Sequence, residues 1–283
     1  MLVIFMAIIL LSFDSYKQLG KSVKITLKST TVWGFYGHKK INRLAVFTLP
    51  KGMISFYKKH IEYITEHAVD PDKRRYAVEG EAPRHYIDID HYTHDSLTPF
   101  QYVPKKWKDA IEKFSEDTLQ AYGIVPWHVY FMHYRLTKAF KAKDANAILK
   151  ISAEIGHYIG DASVPLHTTE NYNGQLTGQI GIHALWESFL PEQYSNTYNL
   201  YEQSAKKEER LEIRIIDELN RAHQLVPYLL KAHRECQNQL GDSSLGFFSR
   251  KEKIEEVTEL IKNSITISDS KVEEPKLILG FVE

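Results

Sequence analysis

The segment HYIGDASVPLH sets His157 and Asp161 four residues apart, with His167 six residues further on. On a helix, positions i and i+4 project from one face, so this imidazole and carboxylate can share one cation. Sixteen residues after His167, HALWE repeats the arrangement with His183 and Glu187. In a chain with 13 histidines, either pair alone reads more readily as a solvated face or a satisfied polar contact in the core. Both pairs, however, lie in stretches whose other positions are apolar, which points them inward. Buried carboxylates without partners are costly, and a metal ion offsets that cost. Upstream, WGFYGH places His38 five residues after Trp33, and Asp70 precedes His85 by fifteen. Asp72 competes with Asp70 in the same Asp-Pro-Asp triplet.

The elements that must position these residues are helical. From Ala145 to Gly160, Ile148, Ile151, Ile155 and Ile159 recur at helical spacing, so the segment carrying His157 reads as a strongly buried helix. Pro50 opens a stripe of Met53, Phe56, Tyr57, His60, Ile61 and Ile64. Pro104 opens a helix with Trp107, Ile111 and Phe114 inward, and Pro126 one with Val129, Met132, Leu136 and Phe140 inward. Gly123 separates those two. A charged loop from Asp70 to about Leu97 ends in HYIDID, whose alternation fits a short strand. A short helix holds His183 to Phe189, and a long amphipathic one runs roughly from Tyr201 to Ala232. The last fifty residues read as one more charged helix and a weak tail. No composition break marks a second domain, so the expectation is a single all-α domain over residues 33–270, a leader at 1–32 and a tail at 271–283.

Composition narrows the chemistry. Lys plus Arg equals Asp plus Glu at 36 each, so the general basic footprint of nonspecific nucleic-acid binding is missing. A single cysteine, Cys236, rules out an internal disulfide and a thiolate metal cage, so any metal site is built from nitrogen and oxygen. The opening run MLVIFMAIILLS is too short to span a bilayer and matches the hydrophobic region of a secretory signal, which implies a secreted or periplasmic protein. No Lys or Arg precedes that run, and four lysines separate it from Trp33; the alternative is a buried N-terminal element of the fold. His91, His94, His128 and His133 fall outside the ordered set and read as loop or surface. Lys73, Arg74 and Arg75 either approach a substrate phosphate or form a solvated charge run.

In order, WGxxGH, an acid in AVDPD, HYID, HxxxDxxxxxH and HxxxE resemble the zinc-dependent phospholipase C and single-strand nuclease superfamily. The resemblance spans most of residues 33–190. It implies one helical fold, up to three zinc ions and hydrolysis of phosphodiesters. Carried over position by position, it implies Asp70, His85, His157 and Asp161 on one zinc, and His167, His183 and Glu187 on a second. Asp161 would bridge to a third, completed by His38 and by the amino nitrogen and carbonyl oxygen of Trp33. That last assignment requires processing between Val32 and Trp33. The family spacing to the following histidine favours Asp70 over Asp72, and implies that Asp70 orients or deprotonates the attacking water.

Glu187 as the last ligand and the short interval between His167 and His183 resemble the phospholipase branch, so the expected substrate is a phospholipid. A single-strand-specific nuclease using the same site is the runner-up. A noncatalytic helical module with closed zinc coordination is the third reading. Nothing in the sequence calls for a stable protein partner.

Overall fold

The isoleucine period that begins at Ala145 produces the central helix of the molecule. In the computed structural model, which describes residues 34–95, 98–198, 200 and 204–240, it runs from Ala145 to Asp161. Asp144 caps its start, its side chain accepting from the Ala147 N–H at 3.0 Å. Ile148, Ile151, Ile155 and Ile159 are all buried.

Numbered in chain order, α1 is Phe35–Thr48, α2 Lys51–Lys59, α3 Ile61–Glu66 and α4 Asp70–Arg74. Then come α5 (Trp107–Phe114), α6 (Glu116–Tyr122), α7 (Val125–Ala142) and the central helix, α8. Short α9 (Ile182–Ala184) leads through a π-helical turn, Leu185–Phe189, into α10 (Leu190–Tyr194); α11 (Leu211–Gln224) and α12 (Val226–Leu240) follow. No β-strand forms among the described residues, and the fold is all-α. None of the described helices is long and apolar enough to cross a membrane. Trp33, the leader, the 271–283 tail and, beyond residue 240, the charged helix expected in the last fifty residues lie outside the described residues.

Helix α8 packs between α1 and α7, and α3 packs on both α1 and α8. Their inner faces form the main core, with Val129, Met132, Leu136, Ile155 and Tyr158 at its centre. Trp107, Ile111 and Phe114 pack against it from α5. A second, smaller cluster joins Val164, Leu166, Ile182, Leu185, Trp186 and Leu190 to Leu229 and Ala232 of α12. Asp161 ends the helix of the first cluster, and His167 follows the chain into the second.

Three local expectations are corrected. The stripe after Pro50 is two helices, because the chain turns at His60 (φ −113°). The expected helix over 201–232 is replaced by α11 and α12, which meet at Leu225; Pro227 has no N–H to continue the ladder. HYIDID is extended at Tyr86 but bonds to no strand. Ile87 N donates to the His167 carbonyl at 2.9 Å and Asp88 N to that of Tyr122 at 2.8 Å. Its alternation is real, with Ile87 and Ile89 buried, but turns and a helix end supply the partners.

Candidate metal centre

At the C-terminal turn of α8, His157 and Asp161 project from one face, and their Nε2 and Oδ2 atoms lie 3.2 Å apart. His85 enters from a 3₁₀ turn, Ala82–His85, with Nδ1 2.9 Å from Asp161 Oδ2 and 3.1 Å from His157 Nε2. Asp72 Oδ1 completes this group at 3.7 Å from His85 Nδ1 and 3.5 Å from His157 Nε2.

Asp161 also faces the other way. Its Oδ1 is 3.2 Å from His38 Nε2 and 3.5 Å from His167 Nδ1. His38 comes from α1 and stacks on His157 with ring centroids 3.9 Å apart. Beyond it, His167 Nε2, His183 Nε2 and Glu187 Oε2 form a triangle with sides of 3.2, 3.6 and 2.7 Å. Glu187 Oε1 is 3.7 Å from His38 Nε2, which closes a continuous cluster.

The hydrogen bonds behind the rings fix what they offer. Nδ1 of His157, His167 and His183 donates to the carbonyls of Ala68, His85 and Tyr172 at 2.8, 3.0 and 3.0 Å. In the neutral rings each Nε2 is therefore a bare lone pair. Two such lone pairs, on His167 and His183, face each other at 3.2 Å, an arrangement that needs a proton or a cation between them. Ligand atoms about 2.1 Å from one ion in tetrahedral geometry stand about 3.4 Å apart. The spacings above fit that, and the ligand atoms of each group lie within 4.8 Å of one another. Four sets of side chains could hold a metal ion: His38/Asp72/His157, His85/His157/Asp161, His167/His183/Glu187 and His38/Asp161/Glu187.

Charge is balanced within the cluster. Burial alone would raise the Asp161 pKa, but His157, His167 and His38 hold it well below the carboxylate range. Glu187 is likewise held low against burial, by His167, His183 and His38. Burial opposes protonation of His38, His157 and His183, yet Asp161 for the first two and Glu187 for the third raise all of them above the usual imidazole value.

The backbone is shaped to admit these side chains. Gly34, at φ +74°, passes so close to Glu187 that a Cβ there would lie 2.9 Å from Oε1. Gly156 faces Asn42 of α1, and a Cβ there would lie 2.2 Å from the Asn42 Oδ1. The Asn42 amide lies flat on α8, donating to the Ala153 carbonyl at 2.9 Å.

Among the sequence candidates, His38, His85, His157, Asp161, His167, His183 and Glu187 converge here, while Trp33 lies outside the described residues. Asp70 is a correction. Its carboxylate turns outward to His67 Nδ1 at 2.5 Å and Lys73 Nζ at 2.8 Å, and Asp72 takes the inner position. The triplet forms the helical turn α4, and positions two apart on a helix point about 200° away from each other. Of the following basic residues, Lys73 pairs with Asp70, and Arg74 binds Glu81 and Glu154. The Arg75 guanidinium has no hydrogen-bond or ion-pair partner among the described residues, and its charge acts on His183 and Tyr86. His128 is a second correction: it is buried edge-on against Tyr158, and burial pushes its pKa down to about 3.

One residue escaped the sequence reading. Glu81 is fully buried beside His85, and its carboxylate receives Arg74, Arg84 and the Tyr158 hydroxyl. The signal was present, since Glu81 and His85 are four residues apart like the other two pairs. Pro83 between them hid it by arguing against a helix.

No protein-family model matches this chain, and no curated protein matches it.

Proposed function

We propose that the protein is a zinc-dependent hydrolase of phosphodiesters, with phospholipids as its substrate class. The observation that carries this reading is the single cluster of five imidazoles and three carboxylates, in which bare imidazole lone pairs face one another and two buried carboxylates. An all nitrogen and oxygen donor set keeps zinc strongly Lewis acidic, which suits catalysis better than a structural role. His85, His157, Asp161 and Asp72 would hold one ion, His167, His183 and Glu187 a second, and His38 with Asp161 and Glu187 a third. When bound, such ions supply Lewis acidity that makes hydroxide available near neutral pH and offsets phosphate charge.

The chain's own residues divide the remaining work. Asp72 is more open to solvent than Asp161, so it is the carboxylate suited to orient the attacking water and accept its proton. Arg75 offers a free guanidinium near His183 for the non-bridging phosphate oxygens. The 171–181 loop contains no charged residue and exposes Tyr172, whose ring centroid lies 6.1 Å from that of His183, together with Leu176 and Ile180, which favours a lipid over a polyanionic strand. The neutral net charge points the same way.

The test is a zinc count on the purified protein with parallel assays on a phosphatidylcholine analogue and on single-stranded DNA. The expected result is lipid hydrolysis that disappears with EDTA and returns with zinc. Activity that survives EDTA removes the metal mechanism, and cleavage of DNA alone transfers the reading to the nuclease.

A further inference from the structure

His85 differs from three other imidazoles of the cluster, His157, His167 and His183; His38, like His85, has a buried outward nitrogen without a hydrogen-bond partner. His157, His167 and His183 present Nε2 inward and hold Nδ1–H on a backbone carbonyl, whereas His85 presents Nδ1 inward. Its outward Nε2 is buried with no hydrogen-bond partner, and the acceptor it faces is Glu81 Oε1 at 3.6 Å. No main-chain carbonyl fixes this ring.

We propose that Glu81 is the positioning residue for His85: its carboxylate holds the proton on Nε2 and so keeps the Nδ1 lone pair turned towards Asp161 and His157. The surrounding network makes the carboxylate suited to this. Arg74 Nε and Arg84 Nη1 both donate to Oε2, at 3.0 and 2.7 Å. Oε1 is left to the Tyr158 hydroxyl and to His85. Arg74 also reaches Glu154 at 3.0 Å and the Tyr158 hydroxyl at 2.9 Å. Because Arg74 lies two residues after Asp72, the same carboxylate ties the Asp72 turn and the His85 turn to α8. A carboxylate behind a ligating histidine fixes its tautomer and raises its basicity, and losing such a partner costs about 10- to 100-fold in metal affinity.

The network also predicts how a near-isosteric change acts. In Glu81→Gln, the two arginines require the amide oxygen at the Oε2 position. The NH₂ group is then left facing His85 and donates to Nε2, which moves the ring proton to Nδ1 and blocks the inward lone pair.

The inference rests on the proposed metal centre, so one readout is taken without metal. Imidazole ¹⁵N NMR of the metal-free full chain at alkaline pH is expected to show His85 protonated at Nε2 in the wild type and at Nδ1 in Glu81→Gln. Zinc affinity by chelator competition is expected to fall about 10- to 100-fold in that variant. Tyr158→Phe, which leaves the acceptor of His85 in place, is expected to keep both the tautomer and the affinity. A wild-type His85 protonated at Nδ1 overturns the inference even if Glu81→Gln does not fold. Equal losses in both variants overturn it too, by reducing Glu81 to packing. Wild-type protein that binds no zinc while His85 carries its proton on Nε2 removes the metal reading and leaves the tautomer lock standing.

Discussion

His157 and His183 offer the same atom in the same way, an Nε2 lone pair fixed by a carbonyl behind the ring, yet they are held by different means. His157 stands on the 17-residue α8 inside the main core, fully buried, with the Ala68 carbonyl brought to it by helix packing. His183 is the middle residue of the three-residue α9, and its carbonyl comes from Tyr172 in a loop. That loop is held by α12, where Gln179 Nε2 donates to the Leu230 carbonyl at 2.7 Å and Gln237 Nε2 to the Gly178 carbonyl at 3.2 Å. One half of the centre is thus a by-product of core formation, and the other depends on a loop closing over a small apolar cluster. Segments with few buried apolar contacts open first. If the cluster holds ions as proposed, the His183 half is therefore expected to exchange them and to admit ligands more readily than the His157 half.

The heaviest blow to this contrast is Asp161→Asn, which strikes both halves because Oδ2 serves His85 and His157 while Oδ1 serves His38 and His167. Metal affinity is expected to fall by more than about 100-fold, beyond the loss of an outer partner, with more than one ion missing by elemental analysis. Next, in EDTA, His157→Ala is expected to cost about 3 kcal/mol in denaturant unfolding. His183→Ala is expected to cost about 1 kcal/mol. Equal costs would erase the distinction.

Protons sharpen it further. His38, His157 and His183 have raised pKa values in the fold, so without metal their contribution is complete below the unfolded value of about 6.5 and is lost as pH climbs through the raised values. Metal needs the same rings deprotonated, so its affinity rises with pH. The gap in Tm between metal-loaded and metal-free protein should widen upward from about pH 6.5, as differential scanning calorimetry would measure. The smallest effect belongs to Asp70→Asn, at under about 1 kcal/mol with unchanged zinc content, because its pairs with His67 and Lys73 are partly exposed.

The two halves were not equally legible in the sequence. Four isoleucines at helical spacing declared α8, and the inward acid and imidazole pair declared its end. The choice between Asp70 and Asp72 was hidden because it depends on the phase of a five-residue helix, set by how Arg74 docks on Glu81 and Glu154. The π-helical turn that carries Glu187 leaves no sequence signal, since an added residue per turn is fixed by packing rather than by residue type. HYIDID misled for the reverse reason. Period-two burial reports an extended chain against a core, whatever bonds its backbone.

Gly156 provides no donor, yet it sets the gauge of the gap between α1 and α8. A methyl group there would meet the Asn42 amide, so either that amide leaves the Ile64 and Ala153 carbonyls it donates to or α1, with His38, moves off the face that carries His157 and Asp161. Under the proposed metal reading, ion selectivity would then be adjustable by hydrogen-for-methyl exchange at a residue outside the ligand set, through the width of the slot and not the identity of its walls.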